Sequence, residues 1–213
     1  MDMIKIVLKK CGQFLIKLDL REIEDYDFED DEDVSTILSQ CSKLRSIHFG
    51  GCILDRNSIR SLKPNFHNVE YFLFEIDEND ERNIGGDLSD LFQQNKKLKF
   101  LKMKVQRAIT WRMKPQSFIY NYDCLKAISY ETLNHIWLED FSADLNVLCS
   151  MPILKWLKLK NQKVTDDILI GISKNCLNLE CITMICKFAQ FLTRMLLISI
   201  SFSNLNNSFF RLR

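Results

Sequence analysis

Punctuation is scarce in this 213-residue chain, which holds three prolines and six glycines. No Gly-, Ser- or Pro-rich stretch reads as a flexible linker, so one continuous architecture is expected rather than two tethered bodies. An excess of charge of one sign is also missing. The 29 Lys and Arg against 28 Asp and Glu leave a net charge of +1, which disfavours nucleic acid as a general partner. Long hydrophobic runs are lacking too. The most apolar segment, 185–202, is broken by Lys187 and Arg194 and falls short of the roughly 18 uncharged residues of a membrane span. At the N-terminus, Ile6-Val7-Leu8 before Lys9 and Lys10 is too short for the apolar region of a secretory signal. A cytoplasmic or nuclear location is therefore expected.

The motifs of catalysis are missing as well. There is no P-loop, no G-x-S-x-G, no H-E-x-x-H and no Gly-rich dinucleotide turn. The three histidines, His48, His67 and His135, stand far apart in sequence and read as packing or surface residues. The expectation is a non-enzyme with no metal site and no cofactor. Eight cysteines form no C-x-x-C pair, which argues against a zinc ribbon or a thioredoxin-like site.

What the chain has instead is a period. Leu154-Lys155-Trp156-Leu157-Lys158-Leu159 recurs after 25 residues as Leu179-Glu180-Cys181-Ile182-Thr183-Met184, in the pattern L-x-x-L-x-L. Seven such cores follow one another, opening at Leu15, Leu44, Val69, Leu98, Leu133, Leu154 and Leu179, with spacings of 29, 25, 29, 35, 21 and 25 residues. The end of each core alternates apolar–polar–apolar, the signature of a half-buried strand. Between the cores lie candidate crossover helices: Val34–Cys41, Ser58–Phe66, Leu88–Asn95, Cys124–Tyr130, Ala143–Cys149 and Asp166–Cys176. In the last of these, Ile168, Ile172 and Cys176 share one helix face. Thr165 followed by two aspartates makes a good helix start. Cys41 and Cys176 each precede a strand anchor by three residues, and Cys11 precedes Leu15 by four. A fixed phase of this kind suits small buried residues at helix ends, and so a reducing compartment, better than a disulfide framework.

Three segments depart from the period. Nine of the twelve residues Glu22–Asp33 are acidic, around Tyr26 and Phe28, which suits either a solvated loop or a dock for a basic partner. Lys104–Asp123 carries Trp111, Phe118, Tyr120 and Tyr122 around Pro115, as either a functional loop or one folded over its own repeat. Residues 187–213 read as a degenerate last repeat, a cap or an unstructured tail after a repeat domain spanning 1–186.

Two stretches carry a resemblance. Cys11-Gly12-Gln13-Phe14-Leu15-Ile16-Lys17-Leu18-Asp19-Leu20 is similar to the C-G-x-F-L-x-x-L-x-L segment that opens the repeats of F-box/leucine-rich-repeat proteins. Cys41-Ser42-Lys43-Leu44 through Cys52 resembles that family's C-x-x-L-x-x-L-x-L-x-x-C core. The resemblance spans about Lys10 to Met184 and is weakest in the middle repeats, which tolerate Phe at strand anchors. It implies an α/β fold: a right-handed leucine-rich-repeat solenoid, or horseshoe, with parallel strands on the concave face and helices on the convex face. It further implies the substrate-binding part of a Skp–cullin–F-box (SCF) ubiquitin ligase receptor. An F-box is not visible in the ten residues ahead of the repeats, so contact with a Skp-family adaptor and cullin is implied only if one lies outside this chain. An F-box-less scaffold or inhibitor is the alternative.

On that fold the non-anchor strand residues line the concave face, stacked about 4.8 Å apart. Tyr71, Phe100, His135 and Trp156 then fall at one phase, Trp137 joins them, and Lys102, Lys104, Lys158 and Lys160 flank them. Aromatic residues beside cations are typical of interface hot spots. They would suit an acidic or phosphorylated protein segment.

Overall fold

A computed structural model describes residues 2–20, 38, 40–54, 56–77, 84–106, 123–140, 144–162, 164–185 and 209–212. The acidic run 22–33, the four aromatic residues of the long loop and the segment 186–208 lie outside the described residues.

The seven predicted cores coincide with seven strands: β1 Lys17–Asp19, β2 Ser46–Ile53, β3 Tyr71–Asp77, β4 Phe100–Gln106, β5 His135–Glu139, β6 Trp156–Lys160 and β7 Cys181–Ile185. An eighth, β8 Phe209–Leu212, pairs with β7. They form one open sheet whose strand order equals the chain order, with every neighbouring pair parallel. Parallel pairing in chain order requires each connection to cross over and return beside the strand just left.

Among the described residues those crossovers are helical, either α-helix or 3-10 turn. The 25-residue spacing from Leu44 to Val69 accommodates the α-helix Arg56–Phe66, and the same spacing from Leu154 to Leu179 accommodates Asp166–Asn175. A third α-helix, Ile84–Gln93, lies in the 29-residue repeat that follows β3. The 21-residue spacing leaves room only for a six-residue 3-10 turn, Leu145–Ser150. The helix expected at Cys124–Tyr130 is likewise a 3-10 turn, Asp123–Ala127. Of the helix expected at Val34–Cys41, Leu38 and Gln40 are helical and Cys41 is not. Thr165 caps its helix, its hydroxyl oxygen accepting from Ile168 N–H at 3.5 Å.

One face of the sheet is buried. Register sets Leu18, Ile47, Phe72, Leu101, Ile136, Leu157 and Ile182 in a row of adjacent partners. These pack with Ile59, Leu62, Leu88, Leu91, Leu169 and Ile172 from the helices in one continuous core. Phenylalanine replaces leucine at several anchors, and the replacements cluster: Phe72 stacks on Phe74 at 4.5 Å and meets Phe66 edge-on at 4.9 Å. The alternate residues of the strands point to the opposite face and, apart from the buried Glu139, those whose burial is described are half-buried or exposed. That open face carries the candidate site.

Neighbouring crossovers close tightly at the cysteines. A Cβ on Gly171 would stand 2.4 Å from Cys149 Sγ, and one on Gly12 would stand 2.9 Å from Cys41 Sγ. Burial pushes the Cys41 thiol up, and the Cys176 thiol to about 11, so both stay protonated and unreactive. Cys176 donates its S–H to Leu148 O at 3.2 Å, tying the end of one helix to the preceding crossover. Asn95, at the same phase before Leu98, does this more strongly: its Nδ2 donates to Phe66 O at 2.6 Å and Val69 O at 2.8 Å. Among the described residues, no helix is long and apolar enough to cross a membrane.

Candidate functional site

The open face is built by a ladder that fixes where each strand begins. The two residues that start each strand segment both donate to one carbonyl of the strand before: Glu70 and Tyr71 to Arg45 O, Lys99 and Phe100 to Glu70 O, Asn134 and His135 to Lys99 O, Lys155 and Trp156 to Asn134 O. The first open-face residue of every strand therefore falls at one level.

At that level Tyr71, Phe100, His135 and Trp156 are register partners in sequence, followed by Cys181. Three of them stack. His135 lies 5.9 Å from Phe100 and 5.8 Å from Trp156, with interplanar angles of 29° and 18°. Trp156 is 50% and Tyr71 44% exposed, so the outer rings of this row keep a free surface. His135 Nδ1 donates to Asn134 Oδ1 at 2.5 Å, which puts the neutral ring's proton on Nδ1 and leaves Nε2 as an acceptor. Burial between the two rings lowers the affinity of His135 for a second proton. Glu180 opposes this and Lys155 adds to it, both more weakly.

The next row is Leu73, Lys102, Trp137, Lys158 and Thr183. Trp137 stands between the two lysines, with Lys102 Nζ 4.1 Å and Lys158 Nζ 3.5 Å from its ring centroid. Each ammonium meets the electron-rich face of the indole. Trp137 Nε1 is buried and meets no acceptor among the described residues, so the ring is held by its faces and not by its N–H. Lys102 is half-buried and makes no ion pair among the described residues. Burial accordingly pulls its ammonium pKa down, against the weaker attraction of Glu75 and Glu139. A groove of about 340 Å³ opens beside this row, lined chiefly by Phe100, His135, Trp137, Trp156, Lys158 and Thr183.

The third row separates the lysines that sequence reasoning grouped together. Lys104 donates to Glu75 at 2.8 Å, and Lys160 donates to Glu139, a carboxylate that is itself buried. Register makes Glu75, Lys104, Glu139 and Lys160 an alternating ladder of ion pairs. Lys104 and Lys160 thus share the face but are neutralised within it, whereas Lys102 and Lys158 are directed at Trp137. The glutamates were not among the candidate residues. The alternation of Glu75, Lys104, Glu139 and Lys160 at one repeat phase is the sequence signal that could have found them.

The strand exits are fixed by Asp140 and Asn161, which follow β5 and β6 and adopt left-handed φ angles of 53° and 55°. Asx residues tolerate this region, and here Asn161 Nδ2 donates to both Asp140 carboxylate oxygens, at 3.0 and 3.1 Å. Trp137 and Lys158 are therefore held from both ends of their strands. Among the described residues, no cluster of three or more potential metal ligands occurs.

Comparison of the sequence with protein-family models and with curated proteins returns no match.

Proposed function

We propose that the chain is a leucine-rich-repeat solenoid of right-handed, horseshoe type that recognises another protein through its concave face. The in-order parallel sheet, the single buried face and the helical crossovers all support that architecture. The concave face on this reading is the open face. The observation that carries the binding role is the half-buried Phe100–His135–Trp156 stack, exposed at Trp156, beside a Trp137 ring flanked by two lysines. A row of large aromatic side chains left open on a rigid sheet is uncommon without a partner to cover it. The ligand that suits it is a protein segment with apolar side chains and negative charge, supplied by acidic residues or by phosphorylation.

The resemblance at Cys11–Leu20 and Cys41–Cys52 extends the proposal to a role: substrate recognition for an SCF-type ubiquitin ligase in ubiquitin-dependent protein degradation, in the cytoplasm or nucleus. Affinity purification of the full-length protein from its own cells tests this. Co-purification of a Skp-family adaptor and a cullin with the target supports the ligase role. Recovery of the target without either subunit, under conditions that preserve a control ligase, assigns the chain to the scaffold or inhibitor class.

A further inference from the structure

The edge where the chain turns into each strand carries a second patch, separate from the open face. The residues immediately before the strands form a column, Ile16, Arg45, Glu70, Lys99, Asn134, Lys155 and Glu180, tied by the carbonyl ladder. Every member is polar or charged except Ile16, which is 60% exposed. The residues two places earlier form a second column, Phe14, Lys43, Asn68, Lys97, Thr132, Ile153 and Asn178. There the first member, Phe14, is 63% exposed. The edge thus presents two exposed apolar side chains at its first repeat, and basic residues from the next repeats adjoin them.

The geometry is continuous. Arg45 and Ser46 donate their N–H groups to Ile16 O at 2.8 and 3.1 Å, and Lys43 Nζ lies 5.5 Å from the centre of the Phe14 ring. Lys97 donates to Asn68 Oδ1 at 2.9 Å. A groove of about 630 Å³ runs between Ile16, Lys43, Arg45, Asn68, Glu70 and Lys97. Among the described residues Glu70 is the one carboxylate lining it, and Lys99 at 2.7 Å and Arg45 at 3.8 Å already share it. Among the described residues, Lys43 and Lys97 make no ion pair in this groove, although Lys97 is near enough to Glu70 to help lower its pKa. The patch is therefore apolar at one end and positive along its length.

We propose that this edge, from Phe14 and Ile16 across Lys43, Arg45 and Lys97, is a docking surface for an acidic protein segment that carries apolar anchors. The apolar side chains cover Phe14 and Ile16, and the carboxylates meet the lysines and Arg45. Charge complementarity selects the occupant. A polyphosphate backbone would meet the fixed Glu70 carboxylate and leave Phe14 and Ile16 uncovered, whereas a peptide can step over the one and bury the others. The patch does not share a residue with the open-face site, so its test is independent of that reading.

The test uses the full chain and a fluorescein-labelled peptide with glutamates around one leucine and one phenylalanine. Saturable binding is expected, weakened on raising salt from about 0.05 to 0.5 M. Arg45→Glu and Lys97→Glu are each expected to weaken it roughly fivefold or more, and Phe14→Ser similarly. Lys174→Glu, the same charge change on an exposed helix position, leaves it unaltered. These residues are exposed, so the melting temperature should not move, and its measurement excludes unfolding as the cause of a loss. The proposal is overturned if no peptide binds at about 1 mM, or if a peptide with lysine for glutamate binds equally well. It is overturned also if Arg45→Glu and Lys174→Glu behave alike. Self-association that vanishes in Phe14→Ser, with no peptide bound, would assign the surface to a second copy and likewise overturn the proposal.

Discussion

His135 lies nearly flat against Trp156, with ring centroids 5.8 Å apart and planes inclined by 18°. Phe100 closes its other face. A ring held this way is stable as a neutral group, since burial disfavours the charged form more than distant Glu180 favours it.

The first prediction follows from the sign of that shift. Unfolded His135 binds its second proton near the ordinary imidazole value of about 6.5, and the folded chain binds it only at lower pH. Between those two values the unfolded state holds more protons, so stability falls as pH is lowered through the window and levels off below it. Thermal unfolding followed from about pH 8 to 5 should show this loss, and His135→Gln should remove part of it. An unchanged pH profile in the variant would show that His135 is not held neutral by its stack.

Asp87 is the second test. It is buried on the helix Ile84–Gln93, yet accepts from Arg56 Nε at 2.7 Å and Arg60 Nε at 3.0 Å on the neighbouring helix Arg56–Phe66. Burial alone would raise its pKa, but the two arginine hydrogen bonds outweigh that and hold the carboxyl below its usual range. The contribution to stability is present above the ordinary aspartate value and is lost as pH falls through the lower folded value. Asp87→Ala should cost roughly 1–3 kcal/mol, the low end because both arginines remain partly hydrated. Urea denaturation at neutral pH measures it.

Asn95 offers a third. Its Nδ2 satisfies the carbonyls of Phe66 and Val69 from a fully buried position, and its Oδ1 accepts from Lys97 N–H at 2.7 Å. Asn95→Ala strands these groups and should cost about 2–4 kcal/mol. Asn95→Cys should recover part of that, because Cys176 at the same phase already donates to Leu148 O. Equal losses for the two substitutions would refute the shared role of the phase.

Much of the architecture could be read from the chain because one residue type repeats for one reason. Each anchor from Leu15 to Met184 must fill the same gap between sheet and crossover, so leucine period and strand position are two views of a single constraint. The short crossovers at Asp123–Ala127 and Leu145–Ser150 were harder, since an apolar run of five to six residues suits an α-turn or a 3-10 turn alike, and the 3-10 form occurs in both the longest and the shortest repeat. The aromatic and lysine rows followed from register once the strands were aligned. The pairing of Lys104 with Glu75 and Lys160 with Glu139 did not, because it depends on side-chain reach across strands and not on period. Phe14 and Ile16 were read as part of the repeat signature, and only their exposure separates them from the anchors.

The central claim is that Lys102, Trp137, Lys158 and Trp156 form a protein-binding face. It is tested most directly by measuring the affinity of a partner captured by the full chain for the native protein, Trp156→Ala and Lys158→Glu, with melting temperatures taken alongside. Trp156 is half exposed, and Lys158 projects from the open face, so neither change should unfold the protein. The account predicts at least roughly tenfold weaker binding for each variant at an unchanged melting temperature. Full affinity in both variants, or a collapsed fold in either, would contradict it.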